Sequence, residues 1–252
     1  PEWPLNQFVL HLALSLHSPG AHAVMAGFSR LGDVGVIAPL GIAVLLWALV
    51  RGWRRPAGYW LAALSFALLA APLLKVLLQV PRPDLGLSGL SSWAFPSGHV
   101  LRATVVYGFL AVWLARPLAA AWRWLPYVGA ALLIAAVAIA RLYFGAHWLT
   151  DVLGALGLGL AWVAALGLAF RRHTRPAPAA RGLAGVASLA LIVAFTLGSL
   201  LFHPADLDRY APPRARLPLT QAAWESPAVA GLPPSRIALR GRPGPPFPLH
   251  YA

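Results

Sequence analysis

Long apolar runs broken at intervals by short polar clusters fill the chain as far as Phe202. A bilayer core takes about 20 apolar residues per helix. Six stretches reach that length, roughly 34–50, 57–79, 99–115, 124–141, 147–170 and 183–202, and the pattern predicts a spanning helix for each. Residues 5–30 are less apolar and are interrupted at Ser18-Pro19-Gly20. They read as two short helices lying at a membrane interface, with His11, His17 and His22 on a wet face. Beyond about residue 204 prolines crowd in and the apolar runs stop. There Ser235 to Arg240 alternates like a short strand, and Arg242-Pro-Gly-Pro-Pro246 follows like a turn. The expected organisation is an all-α polytopic membrane helix bundle in three parts: interfacial helices at 1–33, a membrane core with one extra helix at 34–202, and a Pro-rich outer tail at 203–252. That tail reads either as a flexible end or as the start of a small β module.

Composition supports the bilayer as solvent. Apolar residues make up 59% and charged residues 11% of the chain, against about 45–50% apolar in soluble domains; mean hydropathy is +0.69. A net charge of +13 would suggest nucleic acid in a soluble protein. Here the arginines sit between apolar runs rather than on a continuous basic face, so no nucleic-acid partner is expected. Arg51, Arg54 and Arg55, then Arg116 to Arg123, then Arg171, Arg172, Arg175 and Arg181 mark alternate loops. The positive-inside rule puts these in the cytoplasm and the loops at 80–98 and 142–147 outside. Arginine outnumbers lysine, which suggests a GC-rich genome and hence a bacterial inner membrane. The chain has no cysteine, which removes disulfides and thiolate chemistry. Opening on Pro1 without a signal-peptide pattern, it reads as processed, trimmed or excised.

Three polar clusters interrupt the apolar pattern, all at outward-facing helix ends. Ionisable groups at membrane depth are costly, so they are candidates for function. The first is Lys75-Val-Leu-Leu-Gln-Val-Pro81-Arg82-Pro83. Pro81 disfavours helix at Val80 and places Arg82 just beyond the helix end. Taken alone, the pair also fits a snorkelling lysine and a capping arginine. The second is Phe95-Pro96-Ser97-Gly98-His99, which opens a helix. Ser97 is a fitting N-cap, the N–H groups of Ser97, Gly98 and His99 are free to meet an anion, and His99 is placed to give up a proton. The third is Arg141-Leu-Tyr-Phe-Gly-Ala-His147-Trp-Leu-Thr-Asp151. His147 and Asp151 are four apart and share a helix face; a carboxylate on Nδ1–H leaves Nε2 bare as a nucleophile. The same pair is half of a metal site, but the three ligands of a catalytic zinc are not there. Jointly the clusters supply cations and a helix N-terminus for a phosphoryl group, with one histidine to attack and one to protonate.

The order Lys75-x6-Arg82-Pro83, Pro96-Ser97-Gly98-His99 and Arg141-x5-His147-x3-Asp151 resembles the three-part signature of the type 2 phosphatidic acid phosphatase superfamily, over roughly residues 5–170. The resemblance implies that His147 forms a phosphohistidine, that Asp151 orients it, and that His99 protonates the leaving group. It also implies that Lys75, Arg82, Ser97, Gly98 and Arg141 hold the phosphoryl oxygens, with no cofactor and no metal. The expected partners are the lipid bilayer and a membrane lipid phosphate or diphosphate, met at a periplasm-facing site; no oligomer is specified.

Two positions depart from the signature. Ala140 stands where the family usually has serine, which should trim hydrogen bonding. Arg102, one turn beyond His99, either holds a second phosphate or meets lipid headgroups. The family's first membrane helix is not seen before the interfacial helices, and an extra helix at 183–202 follows the core. That suggests a larger parent protein, and the tail resembles the opening of an LssY-like module. A soluble vanadate-dependent haloperoxidase shares the pocket but not the hydropathy. A lipid phosphotransferase, or a non-catalytic lipid carrier or scaffold, stays open at this stage.

Overall fold

A computed structural model describes residues 3–83, 93–174, 180–209, 235–237 and 243–246. Two short helices come first, α1 (Pro4–Ser15) and α2 (Pro19–Arg30). Each opens on a proline, which is pre-set for a first helical position and lacks only an N–H that has no partner there anyway. The break between them is the Ser18 cap, whose hydroxyl accepts from Ala21 N–H at 3.3 Å. Then follow α3 (Val34–Val50), α4 (Arg54–Leu78), α5 (Gly98–Ala115), α6 (Trp124–Tyr143), α7 (Leu149–His173) and α8 (Ala180–Arg209). Six stretches are long and apolar enough to cross a membrane, close to those expected from the pattern. The first extends further back than expected, because α2 runs through a tight turn at Leu31–Asp33 straight into α3, making one apolar stretch from Gly20 to Val50.

Helix α5 is the hub. Val100, Leu101, Ala103, Thr104, Val105, Val106 and Phe109 are fully enclosed, and α5 packs against α3, α4, α6 and α7. In the half of the bundle away from the polar clusters, Trp60, Phe109, Trp113 and Phe170 form an aromatic knot. The buried indole of Trp60 donates to the Gly41 carbonyl at 2.8 Å, satisfying the polar edge that burial would otherwise orphan. At that end Arg116 donates to the carbonyls of Phe170, Arg171 and Thr174, closing the terminus of α7. Helix α8 lies along α2 and α3.

Residues 214–252 form a unit of their own. Within it β1 (Ser235–Ile237) pairs antiparallel with β2 (Pro243–Pro246). The first three residues of the alternating segment are thus a strand, and Pro243–Pro246, expected as a turn, is its partner strand; positions 238–242 lie outside the described residues.

Candidate active site

Successive spanning helices alternate in direction, so the end of α4, the start of α5, the end of α6 and the start of α7 fall at one end of the bundle. All three polar clusters sit there. Helix α4 stops where Pro81 requires it: Gln79 takes a left-handed conformation (φ 48°) and its N–H closes on the Lys75 carbonyl at 3.1 Å. Arg82 lies beyond in extended chain, its segment fixed by the Trp148 indole donating to the Pro81 carbonyl at 2.9 Å. From there the Arg82 guanidinium donates to the Ala146 carbonyl, with one nitrogen 3.4 Å from His147 Nε2. Lys75 Nζ donates to the Trp93 carbonyl at 2.5 Å, tying α4 to the segment that enters α5.

Ser97 occupies the N-cap position of α5 but caps differently from the expectation. Its side chain accepts no cap bond, and its N–H donates to the Asp151 carbonyl at 3.1 Å. Only Gly98 and His99 therefore remain of the three N–H groups expected to meet an anion; the Ser97 hydroxyl is fully buried without a hydrogen-bond partner. The approach of this loop to α7 depends on a missing side chain. A Cβ on Gly154 would stand 2.3 Å from the Phe95 ring.

On the third cluster, Arg141 is buried in the last turn of α6 and donates to the Ser29 hydroxyl of α2 at 2.9 Å. His147 is 3% exposed. Its Nδ1 is 3.4 Å from Asp151 Oδ2, an ion-pair distance rather than a well-aligned hydrogen bond. The same Oδ2 accepts the Trp148 N–H at 2.8 Å, so the carboxylate is fixed at the start of α7 as an acidic cap. Burial, and then the charges of Arg141, Arg82 and Lys75, hold the His147 imidazole well below its ordinary pKa. It is therefore a free base at neutral pH, with a cation opposite Nε2 and a carboxylate opposite Nδ1. His99 lies in the field of Arg141, Arg102, His147 and Lys75, so the two imidazoles and the cations share one neighbourhood. Among the described residues no three metal-ligating side chains gather there or elsewhere.

Five contributors are not apparent from the signature. Asp33, the N-cap of α3, has Oδ2 3.9 Å from His99 Nε2; its one visible signal is that acids are scarce, seven in the whole chain. Arg102 reaches inward, its Nε donating to the Gly32 carbonyl at 3.0 Å, where headgroup contact or a second phosphate had been expected. Ser29 supplies a hydroxyl beside Arg141, which Ala140 does not. The N-terminal histidines depart from the wet-face reading too: His17 Nε2 bonds the Tyr143 carbonyl at 2.6 Å and His22 packs edge-on to Phe144, so both brace the segment between Arg141 and His147, while His11 stays exposed.

Residues 56–175 match the PAP2 superfamily. The chain is 33% identical over 160 residues to phosphatidylglycerophosphatase B of Bacillus subtilis (strain 168), covering 62% of this chain and 78% of that protein. Its fold resembles the crystal structure described as the first transmembrane PAP2 type phosphatidylglycerolphosphate phosphatase from Bacillus subtilis. The TM-score is 0.61 at 27% identity, over 68% of this chain and 86% of that one.

Proposed function

The chain belongs to the PAP2 superfamily, and from that premise we propose that this multi-pass bacterial membrane phosphatase works through a phosphohistidine on His147, with lipid phosphates of the phosphatidylglycerol phosphate class as its first candidates. The likeness to relatives named for that lipid supports the substrate class. Phosphatidic acid and undecaprenyl diphosphate offer the same tetrahedral headgroup on an apolar tail.

His147 Nε2 attacks phosphorus along the line of the lipid oxygen. The P–O bond breaks as N–P forms, and His99 gives its proton to the departing oxygen. Water then attacks the phosphohistidine, His99 takes a proton back, and inorganic phosphate leaves. Lys75, Arg82, Arg141 and the N–H groups of Gly98 and His99 carry the charge on the phosphoryl oxygens, which is most of what phosphoryl transfer asks of a protein. Ser97 completes the cradle with its buried hydroxyl. Asp151 keeps the His147 proton on Nδ1.

One observation carries the reading: His147 Nε2 faces a guanidinium at 3.4 Å while Nδ1 faces a carboxylate. A phosphate entering beside Arg82 arrives at the nucleophilic lone pair. Brief reaction with a 32P-headgroup lipid should leave acid-labile, alkali-stable label on the wild-type chain and none on H147A, with turnover unchanged by EDTA. Label surviving in H147A would refute the assignment.

The basic loops at Arg51–Arg55, Arg116–Arg123 and Arg171–Arg172 support a periplasmic site. Since the chain lacks cysteine, Ser88→Cys, placed between Arg82 and the start of α5 in the sequence, should react with a membrane-impermeant maleimide in spheroplasts. Labelling only after lysis would reverse the orientation.

A further inference from the structure

The turn that joins α2 to α3 is held against α5 at three successive residues. The Tyr107 hydroxyl donates to the Leu31 carbonyl at 2.6 Å. Arg102 Nε donates to the Gly32 carbonyl at 3.0 Å. Asp33 Oδ2 comes to 3.9 Å from His99 Nε2. Positions 99 and 102 are neighbours on one face of α5 and 107 lies about two turns on, within the same half of the helix surface, so α5 alone grips the whole turn. Gly32 makes the grip possible, because a Cβ there would stand 2.7 Å from the His99 carbonyl oxygen and 3.0 Å from His99 Cβ.

The charges around His99 are one-sided. Arg141 from α6, Arg102 from its own helix and Lys75 from α4 all act on it, and the neutral His147 ring offers no counter-charge. Asp33 is the carboxylate that meets it from α3. A proton donor in such surroundings needs a counter-charge that stays when the substrate has gone. Asp33 supplies that charge, and its other oxygen is anchored: Oδ1 accepts the Gly35 N–H at 3.3 Å, so the N-cap of α3 fixes where the carboxylate stands.

We propose that Asp33 is a positioning residue for the reaction, holding the His99 imidazole in place and in its proton-carrying form beside the leaving oxygen. Asp33 itself gains and loses no proton: the N–H bond of His99 breaks as the O–H bond of the lipid alcohol forms, and the carboxylate compensates the imidazolium before that transfer. This rests on His99 as proton donor in the function proposed above. Arg102 takes a part as well, since its bond to Gly32 keeps the turn, and so the carboxylate, on α5.

A leaving group that needs no proton separates this role from plain architecture. The full chain in detergent is assayed for kcat/KM, which reports the step that forms the phosphoenzyme. The substrates are dioctanoyl phosphatidic acid, whose alkoxide must be protonated, and p-nitrophenyl phosphate, whose phenolate leaves unaided. Asn caps a helix as well as Asp does, so D33N removes the charge and keeps the cap; D33S, also a good cap, serves should D33N fold poorly. The expected result for either is a loss of about threefold to fivefold on the lipid, the upper scale of a partly exposed ion pair, with less than about twofold change on the aryl ester. H99N should show the same selectivity with a larger loss. Equal losses on both substrates, or none on the lipid, in a D33 variant beside a selective H99N would overturn the positioning role while the proton donor stands. If H99N itself slows both substrates alike, the proton-donor reading fails and the role of Asp33 falls with it.

Discussion

Arg82 and His147, 65 positions apart, meet at one end of the bundle with a guanidinium nitrogen 3.4 Å from the imidazole Nε2. Two devices secure this meeting. The Arg82 side chain also donates to the Ala146 carbonyl, and Trp148 clamps Pro81 through its indole, so each partner is held by the other's neighbour. A cation facing Nε2 fits the tautomer with its proton on Nδ1, and a phosphate oxygen can take the guanidinium without any large motion. The same Arg82 nitrogen meets the Ala146 carbonyl and faces His147, and the planar guanidinium presents its donors in a fixed fork that matches a phosphate.

Arg82→Ala is accordingly expected to lower kcat/KM on a lipid phosphate by about 100- to 1,000-fold, the usual loss when one donor to a developing charge is removed. Arg82→Lys should recover little of it, since an ammonium lacks the planar, fixed fork that a guanidinium offers a phosphate. The assay is phosphate release in detergent; a loss of only a few-fold in R82A would mean that Arg82 holds the loop and leaves the phosphoryl group to other residues.

Helix α7 offers a paired test of how the loop before His99 is seated. A Cβ on Gly154 would collide with the Phe95 ring at 2.3 Å, whereas at Gly157, one turn on, nothing stands within 4 Å. Gly154→Ala must push Phe95, and with it Ser97 and His99, away from Asp151. It is expected to cost about 1–3 kcal/mol and most of the activity. Gly157→Ala should be neutral or stabilise by up to about 1 kcal/mol through helix propensity. Thermal unfolding of the two variants, followed by tryptophan fluorescence, compares them directly.

The parts of this architecture visible in the sequence are those that depend on near neighbours. The spans follow from runs of apolar residues and the end of α4 from Pro81. The four-residue spacing does bring His147 to Asp151, but not through a shared helix face as expected, since α7 begins at Leu149 and His147 lies ahead of its N-cap Trp148. What was not visible depends on distant segments choosing one another. No local pattern reveals that the Ser97 N–H is taken by the Asp151 carbonyl, because that bond exists only once α5 and α7 have packed. Arg102 read as a membrane or phosphate arginine because a basic residue near a helix end does so by default; its partner is a carbonyl in a turn 70 positions away. Ala140 offers no hydroxyl where the family usually has serine, and the hydroxyl that Arg141 meets comes from Ser29 on α2, 112 positions away, which no local pattern reveals.

The first helix has a structural task that its composition does not announce. Asn6 is buried, accepts the Thr150 N–H at 3.1 Å and donates to the Thr150 hydroxyl at 3.3 Å. It therefore satisfies an otherwise partnerless N–H in the first turn of α7, one residue before Asp151. Asn6→Ala is expected to cost about 1–2 kcal/mol and to lower turnover more than substrate affinity, since the start of α7 carries the carboxylate beside His147. Unfolding midpoints together with kcat and KM check this; an unchanged midpoint would show α1 to be dispensable for seating α7.

The charge state of His147 predicts how the fold responds to acid. Burial, then Arg141, Arg82 and Lys75, hold its pKa well below the ordinary imidazole value, so the native chain keeps this ring neutral, while the unfolded chain protonates it near pH 6.5 or so. Below that pH the unfolded state binds the extra proton, and stability must rise with pH through this window. The contribution of His147 is complete above about pH 6.5 and is lost as the pH falls, at up to about 1.4 kcal/mol per pH unit. His147→Asn has nothing to titrate. Unfolding midpoints of the two proteins, taken from pH 7.5 to 5.0, should therefore run parallel above about pH 6.5 and diverge below it, the wild type falling faster. Parallel curves throughout would mean that the folded protein takes up the His147 proton as readily as the unfolded chain does, and that burial and the three cations do not hold the ring neutral.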